Sequence, residues 1–204
     1  MSTKIDNKTK VPQIIEALDQ LSKKKILIGV FGEDDSFILM IARVHEFGMT
    51  ITPKNKRYLT IPLNKLAKEK SPKDFNDLFS FKADSGELYL VREKGKDKLE
   101  FMYWLAKSVT IPERSYMRGA YDHKLGDMER RVKKLLNQVI TLQITTDTFF
   151  KVLGEYIVGI VQKYMTDLKE PAKSPITLAQ APDKSNPLIQ DGRLRQAITY
   201  KVVG

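Results

Sequence analysis

Two apolar stripes dictate most of what this chain can become. Tyr121, Leu125, Met128, Val132, Leu135, Val139 and Leu142 recur at alternating spacings of four and three, and Phe149, Leu153, Tyr156, Ile157, Ile160, Tyr164 and Leu168 form a second stripe. Spacing of this kind lines up one face of a helix with 3.6 residues per turn. Thr145, Thr146 and Asp147 stand where the second helix needs oxygens to accept from its first N–H groups. With so short a turn between them, the two helices are expected to pack as an antiparallel hairpin. A parallel coiled coil between subunits is the competing geometry, disfavoured because the apolar faces are wider than a two-per-heptad seam.

The N-terminal side predicts helix, strand, helix. After Met1, residues 1–10 are polar with one apolar residue, Ile5, and the segment reads as a mobile arm. Pro12 suits a first helical turn ahead of Ile14, Ile15, Leu18 and Leu21. Ile26 to Phe31 is a near-continuous apolar run, expected to be a strand buried on both faces. Glu33, Asp34, Asp35 and Ser36 offer capping oxygens to a helix through Phe37, Ile38, Ile41, Ala42 and Val44, which Gly48 can end in a left-handed conformation.

From about residue 50 to 110 the period changes. Tyr58–Pro62 reads as a short strand and Leu63–Lys70 as a brief helix. Two apolar runs, 88–91 and 99–105, flank the polar connection Glu93–Asp97, the pattern of a β-hairpin with Gly95 in its turn. Ser71–Ser85 is read as a packed loop or another short helix. Residues 170–190, with Pro171, Pro175, Pro182 and Pro187, read as an extended loop. Asp191-Gly192 then supplies a turn, Arg193–Gln196 a helical turn, and Ile198–Val203 a strand that can pair with the Ile26 strand.

The expected fold is therefore α+β: a small mixed sheet packed against a long antiparallel helical hairpin, with an inserted β-hairpin subdomain. Its organisation is expected as a mobile arm over 1–10, a core α+β domain from 11–50 and 111–204, and a β-rich insertion over 51–110.

Composition excludes several chemistries. The chain has no cysteine and only two histidines, His45 and His123, so disulfides, thiolate nucleophiles and zinc centres are not expected. No apolar run approaches the ~20 residues of a membrane span, and the N-terminal residues lack the apolar core of a signal peptide. A cytoplasmic folding environment and no membrane partner are expected. His45-Glu46 is an imidazole–carboxylate pair without the second histidine of a zinc-protease helix. Gly29, Gly32 and Gly48 do not make a phosphate loop, and no G-x-S-x-G elbow occurs. The expectation is a non-enzyme with no catalytic residues, no metal and no cofactor; a hydrolase using His45 and Glu46 is the remote alternative.

The net charge of +10 attracts polyanions without assigning a site. Arg114, Arg118, Lys124, Arg130, Arg131, Lys133 and Lys134 make the first long helix and its approach basic, offset by Glu113, Asp122, Asp127 and Glu129. These cations either form a solvated, salt-bridged face or meet phosphates.

Three segments together resemble one family. Ala42-Arg43-Val44-His45-Glu46-Phe47-Gly48 resembles the A-x-x-x-E-F-G signature of tailed-phage virion-morphogenesis and tail-completion proteins. Ile111-Pro112-Glu113-Arg114-Ser115-Tyr116-Met117-Arg118 resembles their I-P-x-R-P-F-L-R segment, with Ser115 in place of the proline. Pro187 to Ile198 resembles their P-L-I-D-T-G-x-L-x-x-S-I segment, with Gln190-Asp191 in place of aspartate and threonine. The resemblance implies a non-enzymatic structural protein of the phage neck or upper tail, assembled in the host cytoplasm and carried in the virion. It implies a homo-oligomeric ring, a hexamer favoured, at the head–tail junction through which DNA passes, with neck, connector, tail-terminator and tail-tube proteins as neighbours. On it, Arg114, Arg118, Arg193, Arg195 and Glu46 are candidate subunit-interface residues, and Arg130, Arg131, Lys133 and Lys134 are candidates for the DNA channel. The alternative is a basic nucleic-acid-binding protein.

Overall fold

The computed structural model describes residues 9–32, 35–96 and 98–204. Most of the expected N-terminal arm, two of the capping candidates, Glu33 and Asp34, and Asp97 of the hairpin connection lie outside the described residues. In chain order the elements are α1 (Val11–Lys23), β1 (Lys25–Val30), α2 (Ser36–Phe47), β2 (Met49–Ile51), β3 (Leu59–Pro62), α3 (Lys65–Glu69), β4 (Phe79–Lys82), β5 (Leu88–Glu93), β6 (Leu99–Ala106), β7 (Val109–Ile111), α4 (Tyr116–Ile140), α5 (Thr146–Asp167), α6 (Pro175–Gln180), α7 (Arg193–Gln196) and β8 (Ile198–Val203). A single 3-10 turn, Pro72–Asp74, precedes β4. The architecture mixes helices with small sheets, and a long helical pair packs on strands. Where a mixed sheet is expected, the described strands form three small sheets, all antiparallel.

The chain forms two compact units. The first holds the described residues up to Ala42, with Ser115–Leu168 and Asp191–Gly204; the second holds Arg43–Arg114 and Lys169–Gln190. The second unit thus contains the 51–110 segment together with the end of α2, the ribbon around Gly48 and the proline-bearing segment.

In the first unit α4 and α5 form the hairpin, and α5 packs on the ribbon of β1 and β8. Leu135, Val139, Phe149, Phe150 and Leu153 are its buried centre, with Ala17, Leu21 and Ile26 packed against them. Thr145 caps α5, its hydroxyl accepting from the Thr148 N–H at 3.1 Å. Lys25 pairs with Val203 and Val30 with Ile198, so the C-terminal strand closes on the first strand in antiparallel register. Gly154 lies under the Tyr200 ring, where a Cβ would collide with it.

Three expectations for this unit need correction. β1 is not buried on both faces, because its sheet has only two strands and one covered side; Leu27 is 45% exposed while Ile26 and Ile28 turn inward. Tyr121 and Leu125 are exposed as well. The buried face of α4 turns about the helix axis towards its N-terminus and passes to Tyr116 and Ala120. There Tyr164 of α5 lies so close to Gly119 that a Cβ would sit 2.6 Å from its hydroxyl. Leu142 is not on the helix at all: it occupies the interhelical turn with φ +58°. Asp35, among the capping candidates, performs that role for α2, accepting from the N–H groups of Phe37 and Ile38 at 3.0 Å each.

In the second unit β3, β6, β5 and β4 form one sheet in that order. Met102 and Tyr103 of β6 are buried with Ala67 of α3 among Leu66, Phe75, Leu78 and Leu90. Asn64 ties α3 to the sheet: its Oδ1 accepts from Ala67 N–H at 2.9 Å and its amide donates to the Phe101 carbonyl at 3.1 Å. The 71–85 segment is a 3-10 turn with a Ser71/Asp74 capping box, followed by strand β4 paired with β5. The 170–190 segment is likewise less extended than expected. It contains α6, started by Pro175 and capped by Ser174, and Gln180 donates to the Pro62 carbonyl of β3 at 2.8 Å.

Candidate functional site

The sequence markers around Glu46-Phe47-Gly48 and Ile111 to Arg114 meet in the second unit. Gly48 ends α2 with φ +68°, and a Cβ there would lie 2.9 Å from the Glu113 nitrogen and 3.1 Å from the Ile111 carbonyl oxygen. Only glycine combines that φ with so close a backbone. The chain turns directly into β2, whose Met49, Thr50 and Ile51 pair with Ile111, Thr110 and Val109 of β7. Past β7, the Arg114 N–H donates to the His45 carbonyl at 2.7 Å. The two segments are therefore the two legs of one ribbon.

Arg114 then crosses to the third leg. Its side chain is 6% exposed; Nε donates to the Pro171 carbonyl at 2.6 Å and Nη2 to the Ala172 carbonyl at 2.7 Å. A planar guanidinium can hold two adjacent carbonyls at once in a way an ammonium cannot. Lys173 next along continues the clamp, donating through Nζ to the Lys184 carbonyl at 2.5 Å, the Gln190 Oε1 at 2.9 Å and the Ile189 carbonyl at 3.4 Å. Burial, then the Lys184 and Arg114 charges, hold the Lys173 ammonium below its ordinary range. Pro187 and Leu188 are buried, and the Asn186 side-chain Oδ1 accepts from the Leu188 and Ile189 N–H groups at 2.8 and 2.9 Å.

His45 belongs to this cluster. Its Nδ1 lies 3.5 Å from Arg114 Nη1, and burial, with Arg114 and Lys173 adding to it, lowers its pKa from 6.5 to about 4. The folded protein thus holds His45 neutral, while the unfolded chain takes up a proton near pH 6.5. The resulting stability is complete above pH 6.5 and is lost as pH falls from there towards about 4. The difference corresponds to at most about 3 kcal/mol, and roughly 1–2 kcal/mol once partial exposure of the ring is allowed for. The one tryptophan, Trp104, sits in β6 of the same unit and reports its unfolding. Urea midpoints followed by Trp104 fluorescence are expected to drop between pH 6.5 and 4, and His45→Asn is expected to flatten that drop.

The other candidate residues are placed differently. Glu46 and Arg114, both candidates for the subunit interface, are buried within the chain at 6% exposure each. Arg118 is exposed on the first turn of α4. Arg193 and Arg195 are exposed on α7; Arg193 Nε bonds Asp191 Oδ2 at 2.7 Å, and Arg195 Nη1 lies 3.4 Å from Thr166 Oγ1. The four channel candidates on α4 do not share one face. Arg130, Lys133 and Lys134 point to solvent, whereas Arg131 is half-buried with its guanidinium 5.4 Å from the centre of the Tyr156 ring. Asp127 also takes two of the cations of this helix, Arg130 and, at 3.6 Å, Lys124.

Two features of the structure escape the sequence reading. Lys173 carried no signal, since one lysine in a polar segment looks like any other. The run Lys54-Asn55-Lys56-Arg57 did carry one, being a basic cluster without an acid between two strands. Among the described residues no three of His, Cys, Asp and Glu are grouped to hold a metal ion, and no helix is long and apolar enough to cross a membrane. Compared with protein families, curated proteins and solved structures, the chain finds no match in any of the three.

Proposed function

We propose that this chain is a structural component of a tailed-phage virion: a neck or tail-completion protein that joins copies of itself into a ring at the head–tail junction, around the path of the DNA. The observation that carries the reading is the use made of the marker residues. Gly48 and Arg114 fasten a ribbon, and that ribbon turns Phe47, Met49 and Ile51 outward at 62%, 48% and 38% exposure. Large apolar side chains on a short ribbon with an open edge favour association with another surface over chemistry on a small molecule. Arg118, Arg193 and Arg195 remain on the surface and are the charged contacts assigned to the subunit interface. Arg114 supports it from within, and Glu46, assigned to the same interface, is buried.

On this reading the protein has no catalytic role. Its neighbours are further copies, six favoured, with connector, tail-terminator or tail-tube proteins above and below. It assembles in the host cytoplasm and stays in the virion. Images of the concentrated protein in negative stain are expected to show closed rings. Single subunits that bind DNA tightly, with a steep dependence on salt, would instead favour a basic nucleic-acid-binding protein.

A further inference from the structure

We infer that the loop between β2 and β3, and not α4, is the main contact of this protein with the phosphate backbone of DNA. The loop carries Lys54, Lys56 and Arg57, all exposed, with Asn55 exposed between them. From Phe47 to Lys68 the chain has five cations, Lys54, Lys56, Arg57, Lys65 and Lys68, and no acidic residue. Thr52 to Thr60 enclose an open concavity of about 380 Å³ whose lining includes Lys54, Lys56 and Tyr58 and contains no carboxylate. Arg57 lies with its guanidinium 5.5 Å from the centre of the Tyr58 ring, a planar cation beside an aromatic face.

Each of these properties suits a polyphosphate. Unpaired cations on a surface gain most from a partner that releases counterions, because no carboxylate of their own has to be displaced first. On α4 the balance is different: Asp127 engages both Lys124 and Arg130, and Arg131 is turned against Tyr156, which leaves Lys133 and Lys134 of the four channel candidates facing solvent without these contacts. Nucleic acid is favoured over an anionic membrane because Thr52 to Arg57 contains no large apolar side chain to enter a headgroup layer, the exposed Met49 and Ile51 before it being assigned to the subunit contact, whereas an arginine beside a tyrosine is suited to a sugar–phosphate edge or an unstacked base. The contact is independent of sequence, since compact cations on a loop position a backbone without reading base edges. It therefore grips passing DNA weakly, in the range of about 10⁻⁴–10⁻⁶ M typical of non-specific binding at physiological salt.

The inference rests on the neck-protein reading for the identity of the passing strand, yet the two fail separately. Loss of the ring is seen in images of the protein alone, and loss of this contact only in a binding titration. The test is anisotropy of a labelled DNA duplex titrated with full-length protein at several salt concentrations. The Lys54→Ala/Lys56→Ala/Arg57→Ala variant is expected to weaken binding roughly tenfold or more at low salt, and to reduce the slope of log K against log salt by about 2.7, which is three phosphates at about 0.9 each. A variant removing the same charge from the β5–β6 turn, Lys94→Ala/Lys96→Ala/Lys98→Ala, is expected to change the slope by less than one. Circular dichroism confirms that each variant is folded. Equal losses in both variants would overturn the inference in favour of overall charge. An unchanged DNA slope in the loop variant, or a loss confined to phosphatidylserine vesicles, would overturn it as well.

Discussion

Gly48→Ala is expected to destabilise the second unit by about 2–4 kcal/mol, more than alanine at Gly86 or Gly95 of the same unit, where a Cβ meets nothing within 4 Å. Two causes add. An L-residue at φ +68° is strained by roughly 1–2 kcal/mol. The new Cβ would also stand 2.9 Å from the Glu113 nitrogen, and that atom is backbone, which a rotamer change cannot move. Either the end of α2 or the β2–β7 pairing has to give. Gly95 provides the comparison: its φ is +76°, but nothing lies within 4 Å of its Cβ position. Gly95→Ala should therefore lose only about 1 kcal/mol. Urea unfolding followed by Trp104 separates the two contributions, and equal losses at the two sites would mean that the close approach to Glu113 contributes nothing.

Arg114→Met is expected to lower stability by about 3–4 kcal/mol, since it strands two carbonyls that now share one guanidinium, at about 1–3 kcal/mol for each buried acceptor left unsatisfied. Arg114→Lys should recover part of this and not all, because an ammonium is a point donor and cannot bridge the adjacent Pro171 and Ala172 carbonyls in one plane. A second readout separates this clamp from mere packing. Arg114 is one of the charges that depress His45, so the Arg114→Met protein should keep more of its stability as pH falls from 6.5, relative to its own value at neutral pH. A methionine variant with unaltered stability would show that the three legs hold together without the arginine.

These two residues also show what the sequence can reveal. Gly48 was legible as a helix stop because glycine after an apolar helix carries its own conformational meaning. Its contact with Glu113 was not, because that depends on a strand pairing sixty residues away in the chain. The strands β2 and β7 have three residues each, too few for a period to register. β4 was similarly hidden, its Phe79 and Phe81 reading equally well as a packed loop. The long helices were legible because their stripes run over many turns. Even so, Tyr121 and Leu125 continue the pattern in sequence while the contact face rotates away from them in space. Arg114 illustrates the opposite error: a charged residue reads as surface, and only the carbonyls of a distant proline-bearing segment turn it into a buried clamp.

The candidate interface residues differ in exposure. Of the marker residues grouped by resemblance, Gly48 and Arg114 hold the ribbon from within, Glu46 is buried, and Arg118, Arg193 and Arg195 meet solvent. For an assembly protein both sets matter, the first for the shape of the contact surface and the second for its specificity.

Native mass measurement over a range of concentrations, on the wild-type protein and on Arg193→Glu/Arg195→Glu, tests the assembly most directly. The expected result is a discrete oligomer, near six copies of the 23.4 kDa chain, that falls towards a single subunit in the charge-reversed variant. A wild-type protein that stays at the mass of one subunit at every concentration, and binds DNA tightly in that form, would contradict it.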